Sequence, residues 1–198
     1  MVPEAQRTYH ALFSAQAATR MDQVAVVDGE KMLTFRGLEQ DAGLLARVLY
    51  RHGVGPGQCV AVCMEPSSEL LIAVLGGFEA GGRVLVLDPS MPIEVANQAL
   101  MEAQPVCCLS VGAWPMVWQT PSLCPKLDLE EGWRHTRRCQ GVGPLPAERP
   151  RPGVWDPALL VPSESYPEAG GIVMRPHQAL IHSAFVREHG KPHGQHRG

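Results

Sequence analysis

Histidines and cysteines are the residue types in this chain of 198 residues that could bind a metal ion. Four histidines lie in or beside a glycine-rich C-terminal stretch, namely His182, His189, His193 and His196. Their spacings match no tetrahedral ligand pattern, and ordering a glycine-rich segment around an ion is entropically expensive. The sequence therefore predicts no metal site, and any metal that these histidines bind is expected to be adventitious.

The six cysteines include one adjacent pair, Cys107 and Cys108, and no C-x-x-C motif. This pair falls within a predicted strand, where successive side chains point to opposite faces, so the two thiols are poorly placed to hold one ion. We predict that both are buried and act as small apolar side chains. The lack of a paired-cysteine framework and of a basic-then-apolar leader predicts a cytoplasmic protein.

The overall charge and hydropathy narrow the class of partner. The formal net charge is −3 and the sequence pI is near 6.2, so neither a nucleic acid nor an anionic membrane is expected as the main partner. The apolar run at residues 70–78 contains two glycines and is far shorter than the ~20 residues that a membrane-spanning helix needs. We therefore expect a soluble protein without a membrane span.

Hydrophobic periodicity predicts alternating helices and strands over residues 1–110. An amphipathic helix begins near Thr8, and a β-hairpin with Asp28-Gly29 at its turn follows it. Further helices are predicted at residues 37–52, 70–80 and 92–102, and further strands at residues 59–64, 84–87 and 105–110. This order is typical of an α/β fold, a mostly parallel sheet with flanking helices.

The remainder of the chain is less regular. We predict an irregular linker at residues 111–157, which holds many prolines and all four tryptophans. These tryptophans could form an interaction surface or could cover the edge of the sheet, and the sequence leaves both alternatives open. A strand and a helix are predicted within residues 158–189, and residues 190–198 are expected to be a disordered polar tail.

The stretch from Phe78 to Pro92 is the most informative one. Gly81 and Gly82 follow a predicted helix, a short apolar strand comes next, and Asp88-Pro89 ends that strand. This order resembles the "AGG-x-V-x-V-x-DP-x-x-P" phrase of the adenylate-forming superfamily, which includes acyl-CoA synthetases and the adenylation domains of nonribosomal peptide synthetases. Since the phrase is structural in that family, we interpret Asp88 as a strand end and not as a ligand.

Two earlier segments strengthen the resemblance. Residues 33–38, Leu-Thr-Phe-Arg-Gly-Leu, resemble the "LTY-x-EL" motif of the family. Residues 54–62 resemble its "GV-x-GD-x-V" turn and strand. The match covers roughly the first half of the chain and becomes poor after about Ser110, so the resemblance implies an incomplete adenylate-forming N-terminal domain.

The same resemblance implies a phosphate-binding loop at residues 162–171. In the family, a loop of the form "TSG-(S/T)-TG-x-PKG" leads to a strand and then to a "PH-x-AL" helix start. Aligned by its flanks, this chain matches the loop at Ser163, Ser165 and Gly171, which are therefore the candidate ATP-binding residues. His177 falls at the helix start, where we expect a surface residue in preference to a ligand contact.

Other positions of this loop depart from the family pattern. Glu164 and Pro167 replace glycines, Gly170 stands at the lysine position, and Glu168 adds a second carboxylate. Carboxylates repel a polyanion, proline has no amide to donate, and the missing lysine removes a positive charge. We therefore predict impaired or abolished phosphate binding.

The resemblance implies ATP and Mg²⁺ as cofactors and the activation of a carboxylate as an acyl-adenylate. We assign no catalytic residue and no cofactor to this chain, because the adenine-pocket, ribose and lysine elements of the family would lie beyond residue 198. Two hypotheses follow. The chain is a fragment that is not catalytically competent alone and acts as a binding or scaffold module, or it is one lobe of an adenylating enzyme that another chain completes.

Overall fold

Alternating helices and strands make up the part of the chain that the computed structural model describes, which is residues 8–129, 143–147, 150–163 and 171–182. The helices are α1 (Tyr9–Thr19), α2 (Phe35–Arg51), α3 (Ser68–Ala80) and α4 (Ile93–Ala103). The strands are β1 (Val24–Asp28), β2 (Lys31–Thr34), β3 (Cys59–Cys63), β4 (Arg83–Leu87), β5 (Cys107–Ser110), β6 (Lys126–Asp128), β7 (Pro157–Pro162) and β8 (Ile172–Pro176). Residues 177–182 are also helical.

A six-stranded sheet in the order β6-β5-β3-β4-β7-β8 forms the centre of the fold. The first five strands in that order are parallel, and β8 runs antiparallel to β7. β1 and β2 form a separate antiparallel hairpin, in which Asp28 pairs with Lys31. The hairpin loop is therefore Gly29-Glu30, one residue later than predicted. The sheet confirms the predicted α/β class with a mostly parallel sheet.

Two buried apolar clusters lie on opposite faces of this sheet, because side chains alternate along each strand. Val60 and Val62 of β3 belong to the cluster that includes Leu45 of α2 and Phe78 of α3. Cys59, Ala61 and Cys63 of the same strand belong to the cluster that includes Leu100 of α4. Cys107 and Cys108 are likewise buried in different clusters, which confirms the prediction for that pair.

The predicted helix end at Gly81 and Gly82 closes α3. Gly81 adopts a left-handed φ of 91°, and its amide donates to the carbonyl of Phe78 at 3.1 Å. The amide of Gly82 donates to the carbonyl of Gly77 at 3.0 Å. These two hydrogen bonds are the Schellman pair, which satisfies carbonyls at the helix end and turns the chain directly into β4.

The start of α3 is capped by Ser67, whose hydroxyl oxygen accepts from the amide of Leu70 at 3.2 Å. We expect Ser67→Ala to lower the free energy of unfolding by about 1 kcal/mol, because the substitution leaves that amide without its side-chain acceptor. Ser67→Asp retains an oxygen at the cap and is the matched control. Urea unfolding of the three proteins measures the difference, and equal midpoints for Ser67→Ala and the parent would contradict the assigned cap.

The structure differs from the predicted irregular linker at residues 111–157. Within it, β6 pairs in parallel with β5, and Trp114 and Trp118 are buried with their ring centroids 5.8 Å apart. Trp155 is 74% exposed, and Trp133 lies outside the described residues. Trp114 and Trp118 are thus core residues, and an interaction role for Trp155 stays a prediction. A strand of three residues carries too little periodicity to be recognised without its partner strand.

The later segments extend the same sheet, since β7 pairs with β4. Residues 183–189 of the predicted final helix, and the predicted tail at residues 190–198, lie outside the described residues. Within the described part of the chain, no helix has the length and apolarity to cross a membrane.

Candidate functional site

The parallel strands end together at one edge of the sheet, and the topology marks a particular place on that edge. The chain leaves β3 toward β4 on one side and leaves β5 toward β6 on the other. A topological switch point therefore lies between the neighbouring strands β3 and β5. In open α/β sheets, ligands bind in the crevice that such a switch point creates.

A cavity of about 710 Å³ lies at this edge. Cys63 and Met64 line it at the end of β3, Val111 lines it after β5, and Leu129 lines it after β6. This volume is within the range of small-molecule sites, roughly 300 to 1,000 Å³. The cavity and the switch point coincide, so this edge is the candidate site.

The charged groups that line the cavity are Asp28, Lys31, Glu65 and Glu69. Lys31 Nζ lies 3.0 Å from Glu69 Oε1, so the ammonium is already paired. Burial alone would raise the pKa of Glu69, but the hydrogen bonds from Lys31 and Ser68 outweigh it and lower that pKa. Three carboxylates against one ammonium make the lining net negative at neutral pH.

The N-terminus of α3 points its amides at this region, and internal oxygens accept them. The amide and the hydroxyl of Ser68 both donate to Asp28 Oδ2 at 2.9 Å, and the amide of Leu70 donates to Ser67. These bonds from Ser68, the backbone one foremost, lower the pKa of the Asp28 carboxyl. The hairpin carboxylate thus occupies the place where a helix N-terminus would otherwise attract an anion.

The predicted phosphate loop also follows a parallel strand at this edge, between β7 and β8. The amide of Ser163 donates to the carbonyl of Gly171 at 2.9 Å, so two of the three candidate residues close the base of the loop. Ser165, Glu164, Pro167, Glu168 and Gly170 lie outside the described residues.

A carboxylate that sequence reasoning missed lies at the base of this loop. Glu102 Oε2 is 3.7 Å from the position that a Cβ on Gly171 would occupy. Glu102 is near the end of α4, far from the loop in sequence, so no local signal could have found it. This distance places a carboxylate beside the base of the loop.

A family model described as "AMP-binding enzyme" matches residues 13–156. The chain belongs to the AMP-binding enzyme family. Tyrocidine synthase 3 of Brevibacillus parabrevis is 38% identical over 125 residues, which are 62% of this chain and 2% of that protein. Bacitracin synthase 1 of Bacillus licheniformis is 41% identical over 88 residues, which are 44% of this chain and 2% of that protein.

Two solved structures share the fold of this chain. The nonribosomal peptide synthetase FmoA3, in its α-methyl-L-serine-AMP-bound form, aligns with a TM-score of 0.76 at 23% identity over 95% of this chain and 20% of that one. VinN aligns with a TM-score of 0.78 at 18% identity over 94% of this chain and 48% of that one. The chain thus shares the fold of these proteins, and it spans about half or less of their length.

His177 is fully buried, so the expectation of a surface position is wrong. Its Nδ1 accepts from the amide of Tyr9 at 3.4 Å, and its ring meets that of Phe78 edge-on at 5.2 Å. Burial lowers the pKa of His177 to about 4, although the nearby Asp156 carboxylate acts in the opposite direction. The imidazole is therefore neutral at physiological pH and belongs to the core beneath α1. Sequence reasoning missed this because α1 and His177 are far apart in the chain.

Asp88 ends β4, as predicted. Its Oδ1 accepts from the amide and the hydroxyl of Ser90 at 2.7 and 2.6 Å, which fixes the turn after the strand and lowers the pKa of Asp88. In the described residues, no group of three or more histidine, cysteine or acidic side chains is placed to hold a metal ion. Of the predicted tail histidines, His182 is described and exposed, and the others lie outside the described residues.

Proposed function

We propose that this chain is a binding or scaffold module of the adenylate-forming type and does not activate a carboxylate by itself. The observation that carries the proposal is the sign of the charge at the carboxyl edge of the sheet. Three carboxylates and one paired ammonium line the cavity, and Glu102 lies at the base of the phosphate loop.

Adenylation requires the site to hold a triphosphate, which is a polyanion. Each carboxylate near such a group repels it, and the helix amides that could offset the repulsion already donate to Asp28 and Ser67. The loop sequence acts in the same direction, because Glu164 and Pro167 stand where the family has glycines and Gly170 stands where it has lysine. The charges that line the cavity and the sequence of the loop between β7 and β8 therefore both argue against ATP binding.

A second candidate function is that the chain is one lobe of an adenylating enzyme that another chain completes. The observation that favours it is the coverage, since the chain spans 48% of VinN and 20% of FmoA3. A partner supplying cationic groups opposite the cavity would change the charge balance that argues against ATP. Its signature is activity that depends on both chains.

Pyrophosphate exchange with a panel of carboxylic and amino acids tests the first proposal. We expect no exchange from the purified chain and no heat of ATP binding in calorimetry. A complete adenylating enzyme, assayed in parallel, is the positive control. Robust exchange by the chain alone would overturn the proposal, and exchange only after addition of a second chain would favour the lobe.

The triple variant Glu164→Gly, Pro167→Gly and Gly170→Lys tests the role of the loop. We expect it to raise ATP affinity by roughly tenfold, about 1.4 kcal/mol, because it restores the glycine path and changes the local charge by two positive units. Isothermal titration measures the change.

A matched control separates loop chemistry from net charge. The double variant Gln16→Lys with Gln58→Lys adds the same two positive units at exposed positions that line neither the loop nor the cavity. It is expected to leave ATP affinity unchanged. An equal rise in both variants, or none in the triple variant, would show that the loop does not govern nucleotide binding.

A further inference from the structure

Two thiols that are distant in the sequence lie in contact beside the edge strand β6. Cys108 Sγ and Cys124 Sγ are 3.4 Å apart, and both residues are free cysteines. A disulfide has an S–S length of about 2.05 Å, so the two sulfurs need to approach by little more than an ångström. Neither thiol has a role in the candidate site or in the proposed function.

The two cysteines differ in how firmly their backbones are held. Cys108 lies in the parallel ladder of β5, and its amide donates to the carbonyl of Pro125 at 2.9 Å. Cys124 lies in the turn before β6, and its amide donates to the carbonyl of Pro121 at 2.9 Å. The required approach can therefore come from the turn while the strand stays fixed.

Access also distinguishes Cys124 from the other described cysteines. It is half-buried, whereas Cys59, Cys63, Cys107 and Cys108 are buried. The hydrogen bond from the Cys108 thiol, and next to it the charge of Lys126, lower the pKa of Cys124 in spite of its burial. Burial raises the pKa of Cys59 and Cys63 to about 11 and that of Cys107 to about 12, so these thiols stay protonated.

We propose that Cys108 and Cys124 form a reversible intrachain disulfide when the protein meets a peroxide. In the first step the Cys124 thiolate attacks one peroxide oxygen, the O–O bond breaks, and Cys124 becomes a sulfenic acid. In the second step the Cys108 sulfur attacks that sulfenic sulfur, and the Cys108 thiol proton leaves with the expelled oxygen as water. In the reduced protein the hydrogen bond to Cys124, and then burial, raise the pKa of Cys108, so Cys108 is the thiol of the pair that keeps its proton until this step. In sum, two thiols and one hydrogen peroxide give one disulfide and two waters, and a dithiol reductant reverses the change.

The disulfide would join residues 16 positions apart and close a loop that contains the buried pair Trp114 and Trp118. It would tie this loop to β5, next to the short edge strand β6. Because cross-linking reduces the freedom of the unfolded chain, oxidation is expected to raise Tm by several degrees, roughly 5 °C.

The test uses the full chain with Cys139→Ser, which removes a thiol that lies outside the described residues. After treatment with equimolar hydrogen peroxide, we expect two fewer reactive thiols, an intact mass lower by two hydrogen atoms, and a peptide map joining Cys108 to Cys124. Dithiothreitol should restore both thiols. A map that joins Cys124 to Cys59 or Cys107, or no intrachain link, would overturn the proposal.

Three variants, each with one further cysteine replaced by serine, assign the roles of Cys124 and Cys108 in the reaction. Cys108→Ser should leave Cys124 trapped as a sulfenic acid that dimedone labels, and Cys124→Ser should abolish thiol loss at equimolar peroxide. Cys63→Ser, on the same face of the sheet, is the matched control and should form the link at the parent rate. If Cys124→Ser also forms a disulfide, or if urea-unfolded protein gives the same single pairing, the contact seen in the fold is not its cause. Far-UV circular dichroism of each variant confirms that it folds.

Discussion

Gly77→Ala is expected to lower the free energy of unfolding by about 2 kcal/mol. Gly77 lies in α3 and faces the sheet, where an added Cβ would be 2.5 Å from Val84 Cγ2 and 3.3 Å from Val60 Cγ1. Both valines are fully buried in strands, so the helix and the sheet would have to separate. Overpacking of this kind costs about 3 kcal/mol, and the better helix propensity of alanine offsets about 1 kcal/mol of it.

The chain provides a matched helical control in Gly43. It lies in α2, and its added Cβ would meet only the end of the Glu79 side chain at 3.4 Å. Gly43→Ala should therefore raise stability by about 0.5 to 1 kcal/mol through helix propensity alone. Urea unfolding of both variants measures the change in the free energy of unfolding, which should be a loss for Gly77→Ala and a gain for Gly43→Ala. A stabilising Gly77→Ala would refute the close packing of α3 on β4.

A double-mutant cycle tests whether the contact with Val84 causes the loss. Val84→Ala removes the methyl groups that the new Cβ would strike, although by itself it leaves a cavity. The double variant should be more stable than the sum of the single changes predicts, by about 1 kcal/mol or more. Strict additivity would place the strain at another contact, such as the one with Val60.

The free energy of unfolding is expected to fall by on the order of 2 kcal/mol as the pH drops from 6.5 to 4, because of His177. In the folded protein the pKa of His177 is about 4, whereas its ordinary value is 6.5. Between these values the unfolded chain binds a proton that the folded protein excludes, so stability rises with pH across this window. The contribution is complete above pH 6.5 and is lost by about pH 4.

The groups around His177 explain why its pKa is lowered. Its Nε2 is buried without a hydrogen-bond partner in the described residues, and its Nδ1 accepts from Tyr9, so a second proton would disrupt that bond. The rings of Phe78 and His10 pack against it, and the Asp156 carboxylate only partly offsets the desolvation. The lowered pKa values of Asp28 and Asp88 act at more acidic pH than this window.

Urea unfolding at several pH values measures how the free energy of unfolding changes with pH. His177→Asn retains an acceptor near the position of Nδ1 and removes the titrating group, so its stability should change much less between pH 6.5 and 4. His52→Asn, at an exposed position, is the matched control for the substitution. A parent slope that persists in His177→Asn would assign the pH dependence to other groups.

The elements of the fold were largely predictable from local sequence. The cap at Ser67, the left-handed Gly81 and the Asp88-Pro89 strand end all rest on the chemistry of a few neighbouring residues. The adjacent Cys107 and Cys108 face opposite clusters because strand geometry requires it. The family resemblance rested on this local phrase and was confirmed by the family match to residues 13–156.

The candidate site was much less predictable. Ser163 and Gly171 were candidates from their flanking motifs, and their role stays a prediction. Glu102 beside Gly171 had no such signal, since the contact joins α4 to a distant loop. The cavity at the switch point depends on the strand order, which places β5 beside β3 and not beside β4. No periodicity within a single segment encodes that order.

The sequence by itself therefore determined the helices, the parallel strands and the family, because hydrophobic periodicity, capping and glycine conformation act over a few residues. The tertiary structure alone decided the burial of His177 under α1, the pairing of β6 with β5, and the contact of Cys108 with Cys124. These features join residues that are distant in the chain. They arise when the faces and edges of the sheet bury apolar surface. The hydrophobic effect that drives this burial is non-directional, so no local sequence pattern specifies which distant residues come together.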